Sequence, residues 1–107
     1  MTMLRTLKGA REILSTPETW TTETGARDKD GAKVGFDMPS ACKWCLWGAL
    51  CMATGRMLND VIDDDMQLFE ILGFQYGTDI FAWNDAQDRT HAEVLARLDD
   101  AIARASK

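Results

Sequence analysis

Apolar residues recur at helical spacing from Met3 to Leu14, where Met3, Leu7, Ala10 and Leu14 form a stripe with Leu4 and Ile13 beside it. Arg5, Lys8, Arg11 and Glu12 lie opposite, and Ser15-Thr16-Pro17 closes the pattern because proline cannot continue a helix without losing a hydrogen bond. From Trp20 to Phe36 the helical period vanishes. Thr21, Thr22 and Thr24 favour extended backbone, and Asp30-Gly31 is a turn signal between the arms Ala26-Arg27-Asp28 and Lys33-Val34-Gly35-Phe36. This predicts a small hairpin at about 25–36, with so few apolar residues that it must lean on helices to persist.

The stretch Ser40 to Thr54, SACKWCLWGALCMAT, has Lys43 as its one charge and Trp44 and Trp47 three apart. It reads as a helix apolar on all sides, with Ser40 as N-cap behind Pro39 and Gly55 in the left-handed position after its end. Such a helix has to be surrounded. A third helix is expected from Asn59 or Asp60 through Leu72, turning Ile62, Met66 and Phe69 inward, with Gly73 after it. Thr78 is placed to cap a short turn through Phe81 and Ala82. Thr90-His91-Ala92-Glu93 has the form of a capping box and opens a last helix, with Val94, Leu98 and Ala101 facing inward beside Leu95 and Ile102. The sum is a mainly α, small α+β fold: about four helices around a central buried helix at 40–54, with one small β-hairpin, in a single compact domain spanning 1–107.

Composition agrees with a globular chain, since 46% of the 107 residues are hydrophobic and 27% charged. The net charge of −5 opposes direct binding to phosphate backbones and favours basic protein partners, although an acidic surface is also simply a soluble one. No apolar run approaches the roughly 20 residues that cross a bilayer, and the N-terminus lacks the pattern of an export signal. Three cysteines is an odd number, and the closest pair, Cys42 and Cys45, falls in the expected central helix, so reduced thiols in a cytoplasm fit best.

Several residue groups could carry chemistry. Cys42-Lys43-Trp44-Cys45 has the spacing of dithiol and metal-binding pairs, but no strand feeds it as redox enzymes require, and a zinc site would need two further ligands from only Cys51, His91 and carboxylates; core cysteines explain it better. No metal or cofactor is therefore expected. Cys45, His91 and Asp85 contain the residue types of a cysteine nucleophile, its base and an orienting group. Trp83, Asn84, Asp85, Arg89 and Thr90 cluster where the chain turns and could bind a ligand, while each also has a structural use: Asn and Asp in turns, Thr90 as a cap, Arg89 as a tie to Asp85 or Asp28. Among the four tryptophans, Trp44 and Trp47 belong to the core, and Trp20 and Trp83 are the better candidates for an exposed patch that meets a partner or a second copy as a homodimer. Asp60, Asp63, Asp64, Asp65 and Glu70 give the third helix an acidic face, explained partly by the preference of carboxylates for a helix N-terminus.

Taken together, Ala26-Arg27-Asp28 with Gly31, Trp44-Cys45 with Gly48-Ala49, and Trp83-Asn84-Asp85 followed by Arg89-Thr90 and Glu93-Val94 resemble a family of small bacterial and phage proteins. That family has an N-terminal helix, an Arg-Asp-x-x-Gly turn, a Trp-Cys-x-x-Gly-Ala helix and an Asn-Asp segment before a final helix. The resemblance covers nearly the whole chain and implies the fold more than an activity, since the family has none established. Its phage association implies a role in phage–host conflict, in a bacterial cytoplasm. The residues and the resemblance lead to one expectation: a noncatalytic module that engages a protein partner, basic in character, through Asp60, Asp63, Asp64, Asp65, Glu70 and Trp20. The alternative is a small-molecule-binding or cysteine-dependent enzyme with a pocket around Cys45 and the Asn84-Asp85 loop.

Overall fold

The computed structural model describes residues 2–107. In chain order it contains α1 (Met3–Ile13), a 3₁₀ turn (Pro17–Thr19), β1 (Ala26–Arg27), β2 (Lys33–Val34), β3 (Lys43–Trp44), α2 (Leu46–Thr54), α3 (Asp63–Ile71), α4 (Gly77–Asn84) and α5 (His91–Ala105). The fold is mainly α with a small antiparallel sheet of order β2-β1-β3. Two elements follow the sequence pattern closely. Helix α1 is capped by the Thr2 hydroxyl, which accepts from Arg5 N, and it buries Leu7 and Ala10. Helix α5 opens on the capping box: Glu93 N donates to Thr90 Oγ1 at 3.2 Å and Thr90 N donates to Glu93 Oε1 at 2.9 Å. Val94, Leu98 and Ala101 are fully buried from it.

The hairpin also forms, with Ala26 opposite Val34 and Arg27 opposite Lys33. Its turn is tied by Asp28 Oδ1, which accepts from Asp30 N and Ala32 N, and Gly31 takes the left-handed φ of 85°. Arg27 gathers the loop around itself, donating to Thr21 Oγ1, Gly31 O and Thr22 O.

The main departure lies at residues 40–45. Ser40 does not cap a helix; Lys43–Trp44 is instead a strand that pairs with β1, Ala26 opposite Trp44, and α2 begins only at Leu46. A short apolar run has no period that separates helix from strand, so the choice fell to the tertiary partner β1. Cys45 caps α2, its Sγ accepting from Gly48 N at 3.3 Å. Cys42 and Cys45 therefore do not share a helix as the sequence suggested. The rest of α2 is central as expected: Leu46, Ala49, Leu50 and Cys51 have no exposed surface, and α1 and α4 pack on it. Gly55 at φ 77° ends it.

Helix α3 starts at Asp63, after the extended Ile62, rather than at Asn59 or Asp60. Phe69 faces inward with Leu68 and Leu72, but Ile62 and Met66, assigned to the same face, point into solvent. Helix α4 is longer than the turn expected from Thr78 and begins two residues earlier: Tyr76 is its N-cap, with Tyr76 N donating to Asp79 Oδ2 and Gly77 N to Asp60 Oδ1. Asp60 thus serves the helix after the one it was expected to start.

The sheet and α2 meet backbone to backbone. Cys45 N donates to Gly25 O at 3.2 Å, and a Cβ on Gly48 would overlap that same carbonyl oxygen. Gly48→Ala is expected to lower stability by about 3 kcal/mol, as overpacking against an unyielding backbone does. Gly55→Ala, strained in φ but with open space around it, should cost only about 1 kcal/mol. Urea unfolding of the two variants checks the order, and equal losses would contradict the close approach.

Candidate functional site

Asn84, the last residue of α4, has no exposed surface. Its Oδ1 accepts from Trp20 Nε1 at 2.8 Å and from Leu46 N at 3.1 Å, while its Nδ2 donates to Thr21 O at 3.2 Å and to Asp85 Oδ1 at 2.9 Å. All four hydrogen-bonding capacities of the carboxamide are thereby met by protein. Asp85 Oδ1 also accepts from Glu23 N at 2.9 Å, which holds Glu23 at its left-handed φ of 71°. Arg89 neither pairs with Asp85 nor with Asp28. Its Nε donates to Trp83 O at 2.8 Å, its guanidinium lies 4.1 Å from the centroid of the Trp83 ring, and Nη1 meets Glu93 at 3.3 Å. Thr90 is the cap of α5. The Asn-Asp loop thus brings its five residues together, with Asn84 and Thr90 engaged by the backbone they order.

Cys45 is 1% exposed, and burial away from water pushes its thiol up to about 11, with the nearby charge of Asp85 adding to the rise. A nucleophilic cysteine needs the opposite shift, toward the thiolate. His91 Nε2 lies 2.6 Å from Leu14 O and its ring sits 6.3 Å from that of Trp20. A carbonyl only accepts, so Nε2 carries the proton and the histidine closes the C-terminal end of α1. Among the described residues no hydrogen bond joins Cys45 to His91 or Asp85, and no group of three His, Cys, Asp or Glu side chains is placed to hold a metal.

The carboxylates of the third helix divide. Asp63, Asp64 and Glu70 are exposed. Asp65 is 2% exposed and accepts from Arg56 Nη1 at 2.8 Å, Arg56 Nη2 at 2.6 Å and Asn59 N at 2.8 Å. The Arg56 guanidinium holds its carboxyl below the usual aspartate range. A polar cavity of about 510 Å³ lies over this pair, between the start of α1 and α3. Trp20 is half-buried with its N–H bound to Asn84, and Trp83 is half-buried against Phe74. Sequence reasoning missed the Arg56–Asp65 pair and Arg97, which shares the Trp83 ring with Arg89; nothing in their spacing announces either.

The arrangement defines a small α+β domain whose asparagine-tipped fourth helix locks a three-stranded sheet onto an apolar helix. The chain belongs to the family of unknown function DUF6197, whose model matches residues 1–104. No curated protein and no solved structure matches it.

Three outcomes follow from this geometry. Asn84→Ala leaves Trp20 Nε1 and Leu46 N without their acceptor, and the loss of stability should reach about 3 kcal/mol, the usual range for stranding buried donors. Thermal unfolding measures it; a change within error would mean the network is slack. At neutral pH, alkylation mapped by mass spectrometry should modify half-exposed Cys42 first and leave Cys45 unreacted until the chain unfolds. Asp65 sets an acid limit. Because its folded pKa is depressed, its contribution is present above the ordinary aspartate pKa and is lost as pH falls through the lower folded value. Asp65→Asn should therefore lower the melting temperature at pH 7 and flatten its decline in acid.

Proposed function

We propose that this domain is a noncatalytic interaction module that engages a basic protein partner through the outward face of α3 and the loop leading into it. One observation carries the reading: apolar side chains stand in water there among carboxylates. Val61 is 82% exposed, Met57 64%, Met66 44% and Ile62 40%, next to exposed Asp63, Asp64 and Glu70. The preference of acidic residues for a helix N-terminus accounts for Asp63 and Asp64 but not for the exposed apolar groups beside them. Apolar anchors ringed by charge fit an interface in which burial supplies affinity and the carboxylates steer the encounter.

The apolar part of this surface lies at Val61 and Met66, not at Trp20, whose ring is half-buried and whose N–H is bound to Asn84. Asp65 supports the surface from beneath through Arg56. Twofold self-association through this face would set carboxylate against carboxylate, which disfavours a homodimer here. A partner drawn from a bacterial host or defence system rests on the resemblance to small bacterial and phage proteins alone. The apolar, desolvated setting of Cys45 and the full engagement of Asn84 weigh against a pocket between them.

Affinity capture with the tagged protein tests the reading. A stoichiometric partner should be retained by Cys45→Ser and Asp85→Ala and lost, by at least about tenfold in affinity, on Asp63→Lys with Asp64→Lys or on Val61→Ser with Met66→Ser. Capture that survives both surface pairs on folded protein would sink the proposal.

A further inference from the structure

Acidic residues outnumber basic ones by 17 to 12, yet Arg97 forms no ion pair among the described residues. Its seat is built in detail. Nη1 donates to Leu72 O at 2.8 Å, the carbonyl at the C-cap of α3, and the guanidinium carbon lies 4.9 Å from the Phe74 centroid and 4.7 Å from that of Trp83. Gly73, at φ 91°, leaves the necessary room, since a Cβ there would come within 2.6 Å of Nη1. Arg89 lies 4.1 Å from the same Trp83 centroid, so two guanidiniums share one indole. Glu93 pairs with Arg89 at 3.3 Å. Partial burial is the main cause that pulls the Arg97 pKa down, with nearby Arg89 and Arg104 adding to the fall and Asp100 opposing it.

We propose that Arg97 and Arg89, stacked on Trp83, form a binding site for an oxyanion, a carboxylate or phosphate group of a small organic molecule. Two features favour this over a purely structural pair. A guanidinium has five N–H donors, and among the described residues a single one of Arg97's is engaged, leaving the fork that binds carboxylates and phosphates bidentately. Both guanidiniums are held against Trp83, 4.1 and 4.7 Å from its centroid, so little side-chain freedom is lost when an anion docks. The site is opposite in sign to the α3 surface and independent of it. The Asn84 carboxamide is saturated, so the ligand function of the Trp83–Arg89 segment passes to Arg89 together with Arg97 on α5.

The test is a titration at constant ionic strength with inorganic phosphate, succinate and chloride, following the Arg Nε and Trp indole resonances by NMR. Saturable shifts centred on Arg97, Arg89 and Trp83 are expected with phosphate or succinate, and which of the two saturates distinguishes a phosphoryl from a carboxylate ligand. Arg97→Gln should weaken binding at least about tenfold, the usual consequence of losing one charge-assisted fork. Since Arg97 also packs on two rings, Arg89→Gln serves as the second variant if Arg97→Gln does not fold, with the same loss expected. Shifts that chloride reproduces, or that persist unchanged in a folded variant, would overturn the site.

Discussion

The carboxamide of Asn84 joins three parts of the chain that are distant in sequence: the Trp20–Thr21 segment, the first turn of α2 and the end of α4. A buried amide is costly unless every donor and acceptor is met, so its four partners must arrive together or not at all. That requirement couples the sheet to the helices. The segment that carries Trp20 is also the segment whose Gly25 carbonyl receives Cys45 N and pairs the sheet with α2. Asp85 extends the same network to Glu23.

Around this junction most polar side chains near the core have structural partners. Arg27 holds the hairpin loop, Asp28 its turn, Asp60 the start of α4, Asp65 the loop after α2, and His91 the end of α1. What remains open to solvent and unexplained by folding is therefore narrow. One such surface is the apolar and acidic face of α3; the other is the guanidinium pair on Trp83. They differ in sign, in position and in the kind of ligand that would recognise them, so the two proposed contacts would be separate.

Amphipathic helices and their ends were legible in advance where local physics decides them. The stripes of α1 and α5, the Thr90–Glu93 box, the Gly55 stop and the Asp30-Gly31 hairpin turn each depend on residues within a few positions of one another. The apolar character of residues 46–54 likewise announced that α2 would be central. Residues 40–45 were not legible, because six mixed residues carry no decisive period and their extended form exists only by pairing with β1. The same holds at α4, where Asp60, seventeen positions upstream, supplies an acceptor for its first amide.

The candidate sites divide along the same line. Residue types alone named Asn84, Asp85, Arg89, Cys45 and the acidic helix as worth attention, and charge and periodicity determined a small, mainly α, α+β fold with a net negative charge. Only the folded chain decided which of those groups face water, since burial and hydrogen-bond saturation depend on partners tens of residues away. Asp65 and Asp64 are adjacent and chemically identical, yet one is sealed under Arg56 and the other is exposed. Arg97 and Arg104 sit on one helix, yet one pairs with Asp100 and the other stacks between Phe74 and Trp83. The environment that separates such twins is a property of the packing, which no local pattern encodes.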